Sequence, residues 1–240
     1  MKKTCTHLLV AAVSAATIGG AKAATTVTYD NSFAGSFMNV HELTANGGGG
    51  KGGFVFGGGW GVSDLVAIQD VPSTSVTLSP NSVGDPNEFW YQNTSGAAPD
   101  PVNPGGPGQL GNKWMEANFF NEVGDGSLAG EELTFSVDVT AFSFTAAHTL
   151  QLFIADFEAG FANPIFTEVA VNGTGVATVT ANLTNNPTNI VQYGFRVSGE
   201  NVWVTDVAPF GSATIGAIPE PSAALLGFAG LAGLMLRRRR

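Results

Sequence analysis

The chain has 240 residues, 44% of them hydrophobic and only 12% charged, with 32 glycines and 12 prolines; this is a glycine-rich globular composition, not a collagen-like or disordered one. Its formal net charge of −9 hides a sharper bias, because Lys2, Lys3 and Lys22 lie at the start and Arg237 to Arg240 at the finish. Between them Lys51, Lys113 and Arg196 face 18 acids, a difference of −15, which excludes nucleic acid as a partner and discourages contact with anionic lipid.

Residues 1–23 read as a secretory signal helix. Lys2 and Lys3 precede an apolar run from Leu8 to Ile18, too short to span a bilayer, and Ala21 and Ala23 are the small residues that a signal peptidase admits. Cleavage is expected after Ala23. Cys5, the only cysteine, lies in the removable part, so the mature chain has no thiol for a disulfide framework.

Several motifs in the next stretch are rejected on physical grounds. His41-Glu42 begins a zinc-protease pattern, but Ala45 stands where the second His belongs, and only His41 and His148 remain after signal removal. Gly48, Gly50 and Gly53 satisfy a Gly-x-Gly-x-x-Gly spacing, yet a glycine run does not nucleate the helix whose N-terminus would face phosphate. Lys51 completes no P-loop, because Gly52 occupies the place of the magnesium-binding hydroxyl. The stretch Gly47 to Gly59 therefore reads as a flexible loop around a short strand. A second Pro/Gly-dense excursion follows at Gly96 to Gly108.

Sugar rings stack their apolar C–H faces on aromatic side chains, and Trp60, Trp90, Tyr91 and Trp114 are the candidates for such a glycan site. Ordinary core packing is the competing reading for each Trp. Trp203 is undecided between core and surface, whereas Phe119-Phe120 and Phe142-Ser-Phe144 read as core.

The second half carries the strand signal. Leu133, Phe135, Val137 and Val139 alternate with Thr134, Ser136 and Asp138, the period of a half-buried strand. Thr149 to Ala155, Val176 to Leu183, Ile190 to Ser198 and Asn201 to Val207 read likewise. Asn172-Gly173 marks a hairpin between Glu168–Val171 and Val176–Val179. Asn121 to Glu132 matches an EF-hand loop only at Asp125, Gly126 and Glu132, and reads as an acidic connection between strands. Asp156 and Glu158 are two apart and would share a face as a carboxylate pair, but they read as a solvated rim. Many short strands and no helical period predict an all-β fold, a single jelly-roll-like β-sandwich over residues 24–217. The alternative is an N-terminal hairpin unit joined by the Pro/Gly excursion to a C-terminal sandwich.

Residues 218–240 read as a membrane stop. Pro219-Glu220-Pro221 precedes an uncharged run from Ser222 to Leu236, which as a helix reaches about 22 Å and so forms a short transmembrane helix. Arg237, Arg238, Arg239 and Arg240 are expected on the cytoplasmic side, with the acidic body across the membrane. This tail resembles the PEP-CTERM sorting signal, in which the Pro-Glu-Pro motif, the helix and the Arg cluster are read by an exosortase. The resemblance implies that Pro219, Glu220 and Pro221 are recognition residues, that the tail is removed on delivery to the cell surface or matrix, and that the protein accompanies exopolysaccharide.

The body, at Asn112–Asn121, Leu128–Val137, Val191–Val197 and Asn201–Val207, resembles the galactose-binding-type jelly roll of carbohydrate-binding modules, with Tyr29–Phe33 as its opening strand. That resemblance implies a structural calcium between an acid of the opening strand and one near the closing strand, here Asp30 and Asp206. The acid usual after the opening Phe is replaced by Ala34. The functional expectation is a non-enzymatic, exported protein that binds polysaccharide. A purely structural acidic surface protein is the alternative, and a glycoside hydrolase the third reading.

Overall fold

The computed structural model describes residues 24–30, 32–44, 50–65, 67–70, 74–85, 89–93 and 109–218. The cleavage residues Ala21 and Ala23, the whole Gly96 to Gly108 excursion, and the tail with Pro219, Glu220, Pro221 and Arg237 to Arg240 lie outside them. Among the described residues no helix is long and apolar enough to cross a membrane.

Two six-stranded sheets face each other across the core. The first contains β1 (Ala24–Thr28), β4 (Ala67–Asp70), β5 (Ser75–Leu78), β9 (Glu132–Phe142), β12 (Gly175–Asn182) and β14 (Ala213–Gly216). The second is ordered β11 (Ala162–Val171), β10 (His148–Glu158), β13 (Ile190–Glu200), β8 (Lys113–Val123), β2 (Gly35–Leu43), β3 (Lys51–Gly59). A small ribbon pairs β6 (Tyr91–Asn93) with β7 (Gln109–Gly111). The chain is thus all-β and sandwich-like, with the N-terminal strands divided between the two sheets.

Period-two burial makes the core. Leu133, Phe135, Val137 and Val139 turn inward from β9 to meet Leu150, Leu152 and Ile154 of β10, Phe195 and Val197 of β13, and Met115, Ala117 and Phe119 of β8, all buried. A ring cluster of Tyr29, Phe33, Phe119, Phe135 and Phe195, with neighbouring centroids 5.4–5.9 Å apart, closes one end of this core. Each fully buried large side chain contributes about 1.5–3 kcal/mol. At the other end Asn81 Nδ2 donates to the carbonyls of Met115 and Val197 at 3.1 and 3.0 Å.

Three local expectations are corrected. Within the Gly47 to Gly59 stretch, of which 47–49 lie outside the described residues, Lys51–Gly59 is no loop around a short strand, because β3 spans nine residues and pairs with β2 through two register shifts. Glycine is sterically required at Gly52, where a Cβ would lie 2.8 Å from the Glu42 and Leu43 carbonyl oxygens. Asn172-Gly173 closes no hairpin. β11 pairs with β10 and β12 with β9, so the chain crosses between the sheets here and sends Val171 and Val179 into the core from opposite walls.

Asn201 to Val207 is likewise not a strand. Asn201 Oδ1 accepts from the amides of Asn112 and Lys113 at 3.1 and 2.9 Å, and its Nδ2 donates to the Trp90 carbonyl at 2.8 Å. That side chain ends the ladder by taking over backbone groups. The chain then turns, with the Asp206 amide donating to the Trp203 carbonyl, and enters a 3₁₀ turn at Ala208–Phe210.

Candidate functional site

Alternation that sends Phe195 and Val197 inward sends Gln192, Gly194 and Arg196 to the outer face of the second sheet. Register places specific neighbours beside them. Arg196 lies between Asn118 of β8 and Gln151 of β10; Gly194 lies between Phe120 and Phe153; Gln192 lies between Glu122 and Ala155. β2 adds Phe37 beside Asn118, and β11 adds Phe166 beside Ala155. Of these, Phe37, Asn118, Phe120, Glu122, Phe153, Phe166, Gln192 and Arg196 line a concavity of about 420 Å³, together with Asn39, Phe157, Phe161 and Pro164.

The absence of a side chain at Gly194 shapes the floor. A Cβ there would lie 1.9 Å from the Phe119 carbonyl oxygen, so β13 and β8 approach at this point only because the residue is glycine. Phe120 and Phe153 flank the gap. Phe153 is buried beneath Phe166, their centroids 6.2 Å apart, and Arg196 lies over both rings, 5.6 Å from the Phe153 centroid and 4.8 Å from that of Phe166.

The rim comes from the β10–β11 connection. Pairing slips between Asp156 and Glu158, with Phe157 at the slip; the turn beyond carries Gly160 and Phe161 at φ of 77° and 62°, and Asn163 at the start of β11 has a φ of 42°. A bulky aromatic in the left-handed region is strained. Phe161 is nevertheless 53% exposed, and Asn163 Nδ2 braces the turn by donating to Glu158 Oε2 at 2.9 Å. The Phe161 and Phe166 rings both meet Phe157, at 5.7 and 5.8 Å, which leaves a wall of rings standing in solvent.

Polar groups are fixed between the rings. Arg196 Nε donates to Asn118 Oδ1 at 2.7 Å, and its Nη1 pairs with Glu168, which also accepts from Gln151 Nε2 at 3.1 Å. Asn118 Nδ2 donates to the Phe37 and Glu116 carbonyls. Gln192 Nε2 donates to Glu122 Oε2 at 2.8 Å. Chemically the concavity combines apolar ring surface with oriented amides, a carboxylate and a guanidinium, the combination that holds a polar ligand with an apolar face.

None of the Trp and Tyr candidates lines it. Trp90 and Tyr91 belong to the core, where the Tyr91 hydroxyl donates to the Val83 carbonyl at 2.7 Å and accepts from the Val83 amide at 3.0 Å. Trp60 packs edge-on against Trp90 at 6.3 Å, and its carbonyl accepts from the Ser36 hydroxyl. Trp114 is half-buried on β8 in register with Glu200 and His41, beyond the concavity. Trp203, undecided from sequence, is core, 5.2 Å from Tyr91. Phe119 is core as expected, but Phe120 points the other way into the concavity, because adjacent residues of a strand take opposite faces.

Nor is the acid pair a solvated rim as a whole. Asp156 is buried, accepting from the Thr184 amide and from Asn189 Nδ2, each at 2.7 Å, and so ties the 184–189 loop to β10; Glu158 alone is exposed. Asp30 and Asp206 are not brought together. Asp30 lies near Tyr193, which is paired with Asn121, and accepts from Ser32, whereas Asp206 follows the Glu200 end of β13 and accepts from Thr205. Among the described residues no group of three or more His, Cys, Asp or Glu is placed to hold a metal.

His41 and His148 lie on β2 and β10, three strand spacings apart. Burial, with Lys51 nearby, pushes His41 below the ordinary imidazole value while Glu116, 3.4 Å away, opposes the shift. Burial pushes His148 down as well, and its Nε2 lies 2.9 Å from the Glu200 carbonyl.

No family model matches the chain, and no curated protein matches it. Among solved structures, it is similar to one described under the words "Structural basis for the promiscuous specificity of the carbohydrate-binding modules from the beta-sandwich super family". The two share 14% identity over 77% of this chain and 74% of the other, with a TM-score of 0.32.

Proposed function

We propose that this chain is an exported surface or matrix protein that binds a glycan in the phenylalanine-walled groove of its second sheet. The observation that carries the reading is the groove itself: exposed rings at Phe37, Phe161 and Phe166 stand around the fixed amides of Asn118 and Gln192. Pyranose rings offer apolar C–H faces to such rings and hydroxyls to such amides. Export is supported by the signal-peptide pattern up to Ala23. Sorting by an exosortase, and association with exopolysaccharide, are supported by Pro219-Glu220-Pro221 and the Arg237 to Arg240 cluster in the sequence. The reading is non-catalytic; against a glycoside hydrolase built on Asp156 stands the engagement of both its carboxylate oxygens by structural donors.

The test is electrophoresis of the exported protein through gels containing neutral or acidic polysaccharides, beside Phe166→Ala and Phe161→Ala variants. Retardation of the parent by at least one polymer, weakened several-fold in both variants, is the expected result. Absence of retardation with every polymer favours the alternative, an acidic structural surface protein without a defined ligand.

A further inference from the structure

We infer that the groove selects an amino-sugar oligomer bearing free ammonium groups, and that the selecting group is Glu122. This rests on the groove being the glycan site. Charge is unevenly placed along it. Arg196, the one cation among the described lining residues, is already engaged: Asn118 and Glu168 accept from its guanidinium, which lies across the rings of Phe153 and Phe166. A uronate or sulfate on the ligand would therefore meet a cation whose charge Glu168 already balances.

Glu122 stands on the Gln192 row, four residues of β13 from Arg196, which is about 13 Å along the strand. It is exposed, accepts one hydrogen bond from Gln192 Nε2, and no Lys or Arg among the described residues forms an ion pair with it. An ionised carboxylate has lone pairs left for a further donor. Phe120, Phe157 and Phe161 line the same concavity, and ring faces attract cations. A carboxylate among aromatic rings is a better partner for an alkylammonium than for a neutral hydroxyl or a carboxylate. The surrounding excess of acids steers a cationic oligomer in the same direction.

The test is calorimetric titration of the exported protein with three β-1,4-linked tetrasaccharides: glucosamine, N-acetylglucosamine and glucose. The glucosamine oligomer is expected to bind about three- to fivefold more tightly than the other two, the size of a solvent-exposed charge pair. Glu122→Gln, which keeps a hydrogen-bonding partner for Gln192, should abolish that preference, so that within this variant the glucosamine oligomer binds no more tightly than the N-acetylglucosamine one. Phe166→Ala should weaken all three. Equal or tighter binding of the uncharged oligomers, still sensitive to Phe166→Ala, overturns the ammonium selection and leaves the groove intact as a glycan site. A preference that persists in Glu122→Gln overturns it too, assigning the attraction to the acidic body at large. Binding of none of the three, or binding indifferent to Phe166→Ala, removes the groove reading and this inference with it.

Discussion

The two outer faces of the sandwich are built by the same strand alternation and end chemically opposite. On the first sheet the outward positions include short hydroxyls that satisfy one another across the ladders: Thr134 with Thr180 at 3.0 Å, Ser136 with Thr178 at 2.9 Å, and Thr77 with Thr214 at 3.1 Å. On the second sheet the outward positions are phenylalanines, amides and Arg196, with Gly194 between two rings. Short side chains of equal height make a level, hydrated surface. Long rings on either side of a missing side chain make a hollow. Alternation decides which residues face out; differences in side-chain length across the register decide whether that face can hold anything.

The comparison breaks most visibly at Gly194. Replacing it with Val drives a side chain into the Phe119 carbonyl of the neighbouring strand, and urea unfolding should show a loss of about 3 kcal/mol. Stability equal to the parent would mean that the floor is not the tight strand contact described here.

A smaller effect separates the core from both faces. Because burial lowers the folded-state value of His148, the unfolded chain takes up the proton first, so stability is present above the unfolded value and falls as pH drops through about 6.5. His41 acts in the same sense. Glu200, raised by burial, acts in the opposite one, its contribution being present at low pH and lost as pH rises through the raised value. Thermal melts between pH 7.5 and 5.5 should therefore show a falling Tm that is shallower in His148→Gln. Retention of a neutral glycan should stay level over this range while the protein remains folded, because no histidine lines the groove.

The smallest effect is expected on the hydroxyl face. Thr134→Val removes one side-chain pair with Thr180 and should change stability by no more than about 0.5 kcal/mol. It should leave glycan retention untouched, where Phe166→Ala weakens it. A Thr134→Val variant with impaired retention would move the site to the wrong sheet.

Much of the fold was legible because half-buried strands announce themselves by period two. Leu133 to Val139 lies within β9, Thr149 to Ala155 within β10 and Ile190 to Ser198 within β13, as the alternation predicted. The failures occur where one residue's tertiary partner outweighs local pattern. Asn201 to Val207 alternates well enough, yet the Asn201 side chain takes backbone partners from Trp90, Asn112 and Lys113, far away in sequence. Asn172-Gly173 has hairpin chemistry, but nothing local tells a chain whether its next strand joins the same sheet.

The site was half visible. The outward set Gln192, Gly194 and Arg196 could be read from β13 alone, as could the opposition of Phe120 to Phe119. What brings them beside Phe153 and Phe166 is the register of β10 and β11, which only the folded chain supplies. The tryptophans drew attention by their suitability for stacking on sugar, but Trp90 and Trp203 serve the core.

The carboxyl end of the described chain leaves from an unusual place. β1 runs parallel to β9 from Glu132 to Ser136, and β14 runs antiparallel to it from Phe142 to Asp138, so the two lie end to end along one side of β9. Gly216 therefore emerges opposite the middle of that strand, not at a corner of the sandwich. Any tether continuing from Ile218 grips the body by the sheet that carries the hydroxyl face, leaving the aromatic hollow on the far side from the attachment. Tension on such a tether would reach β14 first and be shared by its ladders to β5 and β9.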